Sequence, residues 1–192
     1  MKAVTVFCAS SNKVSEKYYA AATELGLILT RNGIDIFYGG GKEGLMGRLA
    51  ETVMAEKGKI IGVLPEFMRA LNWHNPGISE LIWTKHMAER KQVLIQQTDA
   101  VICLPGGYGT LDEMLEVITL KQLGQFLKPI IILNTDGYFN PLIEMFRKMR
   151  VENFMREIHL EIWKTVDFPE EVIPAILNSP GWDSSNAAIA KV

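Results

Sequence analysis

Pro105-Gly106-Gly107-Tyr108-Gly109-Thr110 carries the clearest chemical signal in the chain. It stands between an apolar run, Ala100-Val101-Ile102-Cys103-Leu104, and a helical pattern starting at Leu111. A strand that enters a glycine-rich turn and then a helix leaves backbone N–H groups free at the helix N-terminus. With the helix dipole, those donors form a seat for an anion, typically a phosphate. Asp112, Glu113 and Glu116 follow just inside the helix, carboxylates where an anion site should want none. Acids at the lip of a phosphate seat suit a ligand that also carries sugar hydroxyls, as a nucleotide does. A plainer explanation stands beside this one. Thr110-x-x-Glu113 spells a capping box, in which each side chain bonds the other's backbone N–H. If capping were its whole role, replacing Glu113 would cost about 1 kcal/mol. The box accounts for Thr110 but not for Gly106, Gly107 and Gly109 immediately before it.

Three other stretches could join that loop. Cys8-Ala9-Ser10-Ser11-Asn12 offers small hydroxyls, and Ser10 can bond a ligand, although capping the next helix is the commoner use. The stretch from Tyr38 to Gly47 fits G-x-G-x-x-G through Gly39, Gly41 and Gly44. A dinucleotide fingerprint belongs after the first strand, with an acid ending the next strand about 20 residues on, and Glu66 lies beyond a proline and too far along. No Gly-Lys-Ser/Thr follows at Walker spacing either. Tight turning and close packing explain these glycines about as well as ligand binding does; Gly39, Gly40 and Gly41 are retained as phosphate contacts. Finally, His86-Met87-Ala88-Glu89-Arg90-Lys91 opens a helix with cations, at the end where the dipole disfavours them. An anionic ligand beside Arg90 and Lys91 would explain that placement.

Such loops need a scaffold that gathers strand ends. Apolar runs alternate with longer helical patterns, the signature of a parallel sheet covered by helices on both faces. The pattern predicts strands near 3–7, 34–38, 59–64, 80–84, 99–104 and 129–134, with a weaker seventh at 161–166. Helices are predicted near 15–32, 44–57, 86–97, 110–124, 138–152 and 169–177, with Gly33 and Gly58 as helix stops. The fold class is α/β, a doubly wound parallel sheet of six to seven strands in one domain spanning residues 1–178. Residues 179–192 lose periodicity around Pro180-Gly181 and are expected to form a flexible tail. In an open parallel sheet, ligands bind outside the carboxyl ends of the strands, where these loops lie.

Composition narrows the partners. Among 192 residues, 48% are hydrophobic and 22% charged, and the net charge of −2 gives no electrostatic case for nucleic acid or an anionic membrane. His74, His86 and His159 with Cys8 and Cys103 form no zinc pattern, and both cysteines are expected to be buried, reduced thiols. The chain enters a strand at once, and no apolar run approaches the roughly 18–20 residues that span a bilayer. A cytoplasmic, soluble protein is expected.

Taken together, these stretches resemble one family. Pro105-Gly106-Gly107-Tyr108-Gly109-Thr110-Leu111-Asp112-Glu113 fits the PGGxGTxxE motif of the LONELY GUY (LOG) proteins, cytokinin riboside 5′-monophosphate phosphoribohydrolases that often bear a lysine decarboxylase label. The similarity extends to the Gly39–Gly47 loop, Met87–Lys91, Glu116-Val117-Ile118-Thr119 and Asp136-Gly137-Tyr138-Phe139-Asn140. It implies a Rossmann-like homodimer that hydrolyses the N-glycosidic bond of a purine nucleoside 5′-monophosphate without a metal or organic cofactor. The products would be ribose 5-phosphate and a free base, adenine or an N6-substituted adenine. The resemblance carries substrate binding to Arg90, Lys91, the Gly107–Glu113 loop with Tyr108, Gly109, Thr110, Leu111 and Asp112, and Thr119. It makes Arg90 and Glu113 the catalytic pair. One position departs: Asn72 stands where the family usually has a glutamate on the base side of the substrate. An amide donates as well as accepts, so base preference is open there.

The chemistry agrees with the residues. Breaking a ribosyl C–N bond passes through an oxocarbenium-like transition state. A carboxylate near the ribose can stabilise that charge and orient or deprotonate water. Glu113 is expected in this role, supported by Asp112 or Glu116. The phosphate would rest on the N–H groups of Gly106–Thr110, aided by Gly39–Gly41. Arg90 could clamp phosphate or position the ribose and leaving base, and both remain open. A nucleotide-binding protein without turnover is one rival. A pyridoxal-phosphate decarboxylase is another, needing a Schiff-base lysine that Lys42, Lys91 and Lys121 offer without a supporting pattern. Dimerisation has its own basis in Leu111, Met114, Leu115, Val117, Ile118, Leu120 and Leu123, which make one helix apolar most of the way round.

Overall fold

Successive side chains of a strand point to opposite faces of a sheet, so a strand buried on both faces must be apolar throughout. The computed structural model, which describes residues 1–182, shows this arrangement. Strands β1 (Ala3–Phe7), β2 (Asp35–Tyr38), β3 (Ile60–Pro65), β4 (Glu80–Thr84), β5 (Ala100–Cys103), β6 (Ile130–Leu133) and β7 (Lys164–Val166) form one parallel sheet. Its order is β4-β3-β2-β1-β5-β6-β7. Val4, Val6, Ile36, Tyr38 and Ile102 pack with α1 (Glu16–Arg31), α2 (Gly44–Ala55) and α6 (Val172–Leu177). Phe7, Phe37, Val63, Val101 and Cys103 pack instead with α3 (Met87–Gln96), α4 (Tyr108–Gln122) and α5 (Asn140–Val151). The doubly wound sheet expected from the apolar runs is therefore present, and the weaker seventh strand closes one edge. Both cysteines are free and buried. No helix among the described residues is long and apolar enough to cross a membrane.

Strand order reverses between β1 and β5, where Phe7 pairs with Cys103. The loops leaving these strands therefore emerge side by side, at the switch point where open α/β sheets bind ligands. Backbone bonds then tie each loop to the next. Ala9 donates to Pro105 O at 3.2 Å, and Met46 donates to Ala9 O at 3.2 Å. Lys42 donates to Trp73 O at 3.1 Å, and Asn75 donates to Gly40 O at 2.9 Å. Gly40 has φ +76°, and a Cβ there would lie 2.1 Å from Leu64 Cδ1. Only glycine fits this crossing of the second loop over β3.

Short 3-10 turns at Glu66–Leu71, Thr135–Gly137 and Glu157–Glu161 had no sequence expectation, because three to six residues are too few to show a period, whereas a fourth, Pro169–Glu171, opens the helix expected over 169–177. The expected tail boundary also moves. Trp182 is 7% exposed and its indole N–H donates to Lys121 O at 2.8 Å, so the packed body runs past residue 178. Residues 183–192, the rest of that expected tail, lie outside the described residues.

Trp182 covers a lysine. The Lys121 ammonium bonds Lys128 O at 2.9 Å, lies 5.8 Å from the Trp182 ring centre, and is pushed down to about 8 by burial. Below that pH the ammonium is charged in folded and unfolded chains alike, and its burial opposes folding. As pH rises from about 8 toward the ordinary lysine value near 10.4, the folded chain releases the proton first and the penalty fades. Lys121→Met is expected to raise the thermal midpoint by a few degrees at pH 7, with the advantage over wild type shrinking above about pH 8. A lower midpoint for the variant at pH 7 would show that the lysine's contacts outweigh its desolvation.

Candidate active site

The stitched loops enclose a cavity of about 460 Å³, within the size range of small-ligand sites. Its polar part is built around one ion pair. His86 Nδ1 accepts the Glu89 N–H at 3.2 Å, and Glu89 Oε2 accepts the Lys85 N–H at 2.7 Å, which fixes where α3 begins. Arg90, one turn in, then reaches across the end of β3. Its Nε–H donates to Val63 O at 2.8 Å and its Nη1 donates to Glu113 Oε1 at 2.5 Å. The two side chains are only 8% and 10% exposed. Gly39 makes room for them, since a Cβ there would lie 2.8 Å from Arg90 Nη2. Burial pushes the Glu113 carboxyl above the usual glutamate range, while the Arg90 charge opposes the rise. A perturbed acid with a defined charge partner in a cleft is a common mark of a functional site.

The capping box spelled by Thr110 and Glu113 does not form. α4 starts at Tyr108, its N-cap is Gly107, and no side chain caps it. Thr110 thus lies inside the first turn, and Glu113 turns to Arg90 instead. The first turn-closing bond runs from Leu111 N to Gly107 O at 3.0 Å, so the N–H groups of Tyr108, Gly109 and Thr110 have no intrahelical acceptor. A Cβ on Gly107 or Gly109 would meet nothing within 4 Å, whereas one on Gly106 would lie 2.1 Å from Thr110 Oγ1. Gly106 is a packing glycine, and the other two border open space at the anion seat. Tyr138, from the Asp136–Asn140 segment, props the loop by donating to Gly106 O at 2.8 Å.

The puzzling acids find a partner in Lys91, which pairs with Asp112 at 3.2 Å and with Glu116. Both bonds hold the Lys91 ammonium above its usual range, Glu116 contributing most. Ser10, Gly39, Arg90, Gly107, Tyr108, Gly109, Thr110, Asp112 and Glu113 all line the cavity. Others do not. Gly40 and Gly41 lie off the cavity, and the N–H groups of Lys42, Gly44 and Met46 in the same loop are engaged within the fold. Lys42 N–H bonds Trp73, Gly44 N–H bonds Asn12 Oδ1 at 2.6 Å, and Met46 N–H bonds Ala9. The second glycine loop shapes the wall through Gly39, and three of its later N–H groups are held within the fold. Leu111 packs partly buried in the core. Thr119 lies on an exposed part of α4, its hydroxyl donating to Leu115 O at 2.8 Å. Asn72 is exposed and lines no part of the cavity.

Sequence reasoning missed the apolar wall formed by Leu64, Met68, Trp73 and Met87. Large apolar residues in the aperiodic stretch after β3 were the available signal. A more open cavity of about 810 Å³ lies beyond β6 and β7, but its Lys17 is paired with Asp136 and it contains none of the candidate contacts.

Comparison with known proteins places this geometry. Residues 46–176 match the family model described as "Possible lysine decarboxylase". A rice protein (Oryza sativa subsp. japonica), named a probable cytokinin riboside 5′-monophosphate phosphoribohydrolase, is 41% identical over 170 residues, covering 88% of this chain and 70% of the relative. An Arabidopsis thaliana cytokinin riboside 5′-monophosphate phosphoribohydrolase is 42% identical over 154 residues, covering 80% and 71%. The chain belongs to the LONELY GUY family. The fold also matches a molybdenum cofactor binding protein from Rippkaea orientalis with a TM-score of 0.68 at 21% identity, covering 92% of this chain and 95% of that one. The molybdenum cofactor carrier protein of Chlamydomonas reinhardtii matches with a TM-score of 0.70 at 18% identity, covering 92% and 96%. At that identity these two show shared architecture alone.

The LONELY GUY site does not fit the older decarboxylase description. A Schiff base needs a lysine facing the site, and among the described residues no lysine lines this cavity. Lys42 is exposed, Lys91 is held by two acids, and Lys121 lies under Trp182.

The ion pair makes a stability prediction. Arg90→Met leaves the Glu113 carboxylate buried without its partner, which is expected to lower stability by about 3 kcal/mol. Adding Glu113→Gln should recover part of that loss. Simple additivity of the two substitutions in urea melts would show that the pair is not energetically coupled.

Proposed function

We propose that this protein hydrolyses the N-glycosidic bond of purine nucleoside 5′-monophosphates, releasing the free base and ribose 5-phosphate. The observation that carries this reading is the buried Arg90–Glu113 pair beside the unengaged N–H groups of α4, within one cavity. Relatives at about 40% identity are named for this reaction on cytokinin riboside 5′-monophosphates.

In this reading the 5′-phosphate rests on the N–H groups of Tyr108, Gly109 and Thr110, whose partial positive charge suits it. Phosphate binding remote from the reacting bond positions the sugar for attack. As the C1′–N bond breaks, its electron pair leaves with the base, which takes up a proton. Glu113, ionised, faces the cationic sugar in a site dry enough to make that attraction strong. Water then bonds C1′ and gives a proton to Glu113, whose raised pKa suits it as acceptor. Arg90, tied to Val63 and Glu113, acts by holding the carboxylate in place.

The working unit is proposed to be a homodimer. The buried side of α4 holds Met114, Val117 and Lys121, while Leu115 and Leu123 remain exposed on its other side. Leu115, Thr119 and Phe154 border one groove, and Phe154 is 77% exposed. A second copy covering this face would bury them and account for the all-round apolarity of α4.

Two measurements test the reading. Glu113→Gln is expected to cut base release from AMP or isopentenyladenosine monophosphate by at least about a thousandfold while the protein stays folded. In wild type, kcat/KM should fall on acidification through a pKa above the usual glutamate range, because the ionised carboxylate is the working form. Wild-type turnover in the variant, or an acid limb at or below the ordinary range, would overturn the role of Glu113. Nucleosides lacking the 5′-phosphate are expected to react at least about a hundredfold less efficiently. Equal kcat/KM for adenosine and AMP would remove the phosphate seat from the mechanism.

A further inference from the structure

The glycine turn before α4 is held from behind by its carbonyls. Pro105 O accepts the Ala9 N–H at 3.2 Å, and Gly107 O accepts the Leu111 N–H at 3.0 Å. Between them, Gly106 O accepts the Tyr138 hydroxyl at 2.8 Å. Only this middle bond depends on a side chain, and its donor lies 32 residues away in the loop after β6. Gly106 and Tyr138 border a small cavity of about 110 Å³ behind the turn. Neither lines the cavity that holds Arg90 and Glu113, whereas Gly107 borders both. The peptide joining Gly106 to Gly107 is trans, so its N–H points away from its C=O. A carbonyl turned back toward Tyr138 therefore turns the Gly107 N–H forward. That N–H has no acceptor among the described residues.

The loop after β6 is built to place the hydroxyl. Asp136 and Gly137 have φ of 53° and 70°, which folds the chain back on itself before Tyr138. Gly137 N–H donates to Asn134 O at 2.9 Å, and Phe139 N–H donates to Asn134 Oδ1 at 2.7 Å. Asn134 is buried, and its own N–H bonds Val166 O in β7 at 2.7 Å. The Tyr138 ring stands edge-on to Tyr18 of α1, with centres 5.7 Å apart, and to Phe139 at 5.0 Å. The residue is nevertheless 41% exposed, so filling the core does not explain a tyrosine here. The bond to Gly106 does.

We propose that Tyr138 is a positioning residue for the phosphate. Its hydroxyl fixes the Gly106–Gly107 peptide so that the Gly107 N–H joins those of Tyr108, Gly109 and Thr110 as a fourth donor to the anion. The inference rests on the hydrolase reading above, in which α4 holds the 5′-phosphate. A hydrogen bond accepted by a carbonyl polarises its peptide group and makes the N–H on the other side a stronger donor. Flanked by glycines on both sides, this peptide meets little steric resistance to rotation. Without the hydroxyl it is free to turn, and a turned peptide aims a carbonyl oxygen at the phosphate in place of an N–H. The effect falls on phosphate binding, because Tyr138 touches neither Arg90 nor Glu113.

The test uses Tyr138→Phe in the full-length protein, which removes the hydroxyl and keeps the ring. Loss of one neutral hydrogen bond is expected to raise KM for AMP about five- to tenfold with little change in kcat. The preference for AMP over adenosine should fall by the same factor, and the inhibition constant of inorganic phosphate should rise with it. In NMR titrations of wild type with inorganic phosphate, the Gly107 amide proton should move downfield. The variant should need proportionately more phosphate for the same shift, with a thermal midpoint near wild type. Equal losses of kcat/KM on AMP and adenosine would overturn the proposal, making Tyr138 a general support of the fold. An unmoved Gly107 amide, or phosphate inhibition unchanged in the variant, would overturn it too. A wild type that cleaves neither substrate would sink the hydrolase reading alone. The phosphate Kd values of the two proteins, read from the Gly107 amide, would then still decide the role of Tyr138.

Discussion

Burying a guanidinium against a carboxylate obliges the fold to meet every other demand those charges make, because an ion taken from water is costly unless it is paired and hydrogen-bonded. Arg90 and Glu113 come from two helices on the same face of the sheet, and the carbonyl that completes Arg90 belongs to Val63 at the end of β3. Gly39 must lack a side chain so that the guanidinium fits. The start of α3 must be capped by His86 and Glu89 so that Arg90 points inward. One pair thus links β2, β3, α3 and α4, and a shift in any of them would expose or strand a charge. The same burial keeps the Glu113 carboxyl above its usual range, so the arrangement that endangers stability also raises the proton affinity of an acid in the cleft.

The two glycine-rich loops look alike as strings of residues and do different work. Around Gly44 the chain crosses the Ser10–Ser11 backbone at distances only glycine permits, Gly40 lies against the Leu64 side chain, and the N–H groups of Lys42, Gly44 and Met46 bond Trp73, Asn12 and Ala9. At Gly107 and Gly109 there is no such crowding, and the donors that follow have no acceptor within the helix. A glycine that borders empty space beside free N–H groups leaves room for a ligand. Lys91 completes the division of labour by pairing with Asp112 and Glu116. Half of their charge is thereby offset near the N-terminus of α4.

Hydrogen bonds along the carboxyl edge make these loops one object. Pro105, Ala9 and Met46 form one chain of backbone bonds, and Gly40, Lys42, Trp73 and Asn75 form another. Because the second chain passes through the segment after β3, the apolar wall is held to the same frame as the floor that carries Arg90 and Glu113. A site built this way can hold a polar and an apolar part of one ligand at fixed separation, which is how binding at one end assists chemistry at the other.

The order of strands and helices was legible in the residues because burial on both faces of a sheet imposes continuous apolar runs, and helices impose a different period. Thus β1, β5 and α4 were found nearly at their observed limits, and the Pro105–Glu113 motif was placed correctly at the end of a strand. The candidate pair Arg90 and Glu113 was legible as well, one through misplaced cations and the other through misplaced acids. Local pattern could not choose between a capping box and an ion pair for Glu113, since Arg90 lies 23 residues away. Nor could it tell that Asn72 adopts a left-handed turn, or that Trp182 returns to cover Lys121. Those matters rest on contacts between segments distant in the chain, which propensity and periodicity do not encode. The residues by themselves determined the sheet and the chemistry on offer; only packing in three dimensions decided which groups meet, because burial, pairing and vacant space are properties of neighbours brought together by the fold.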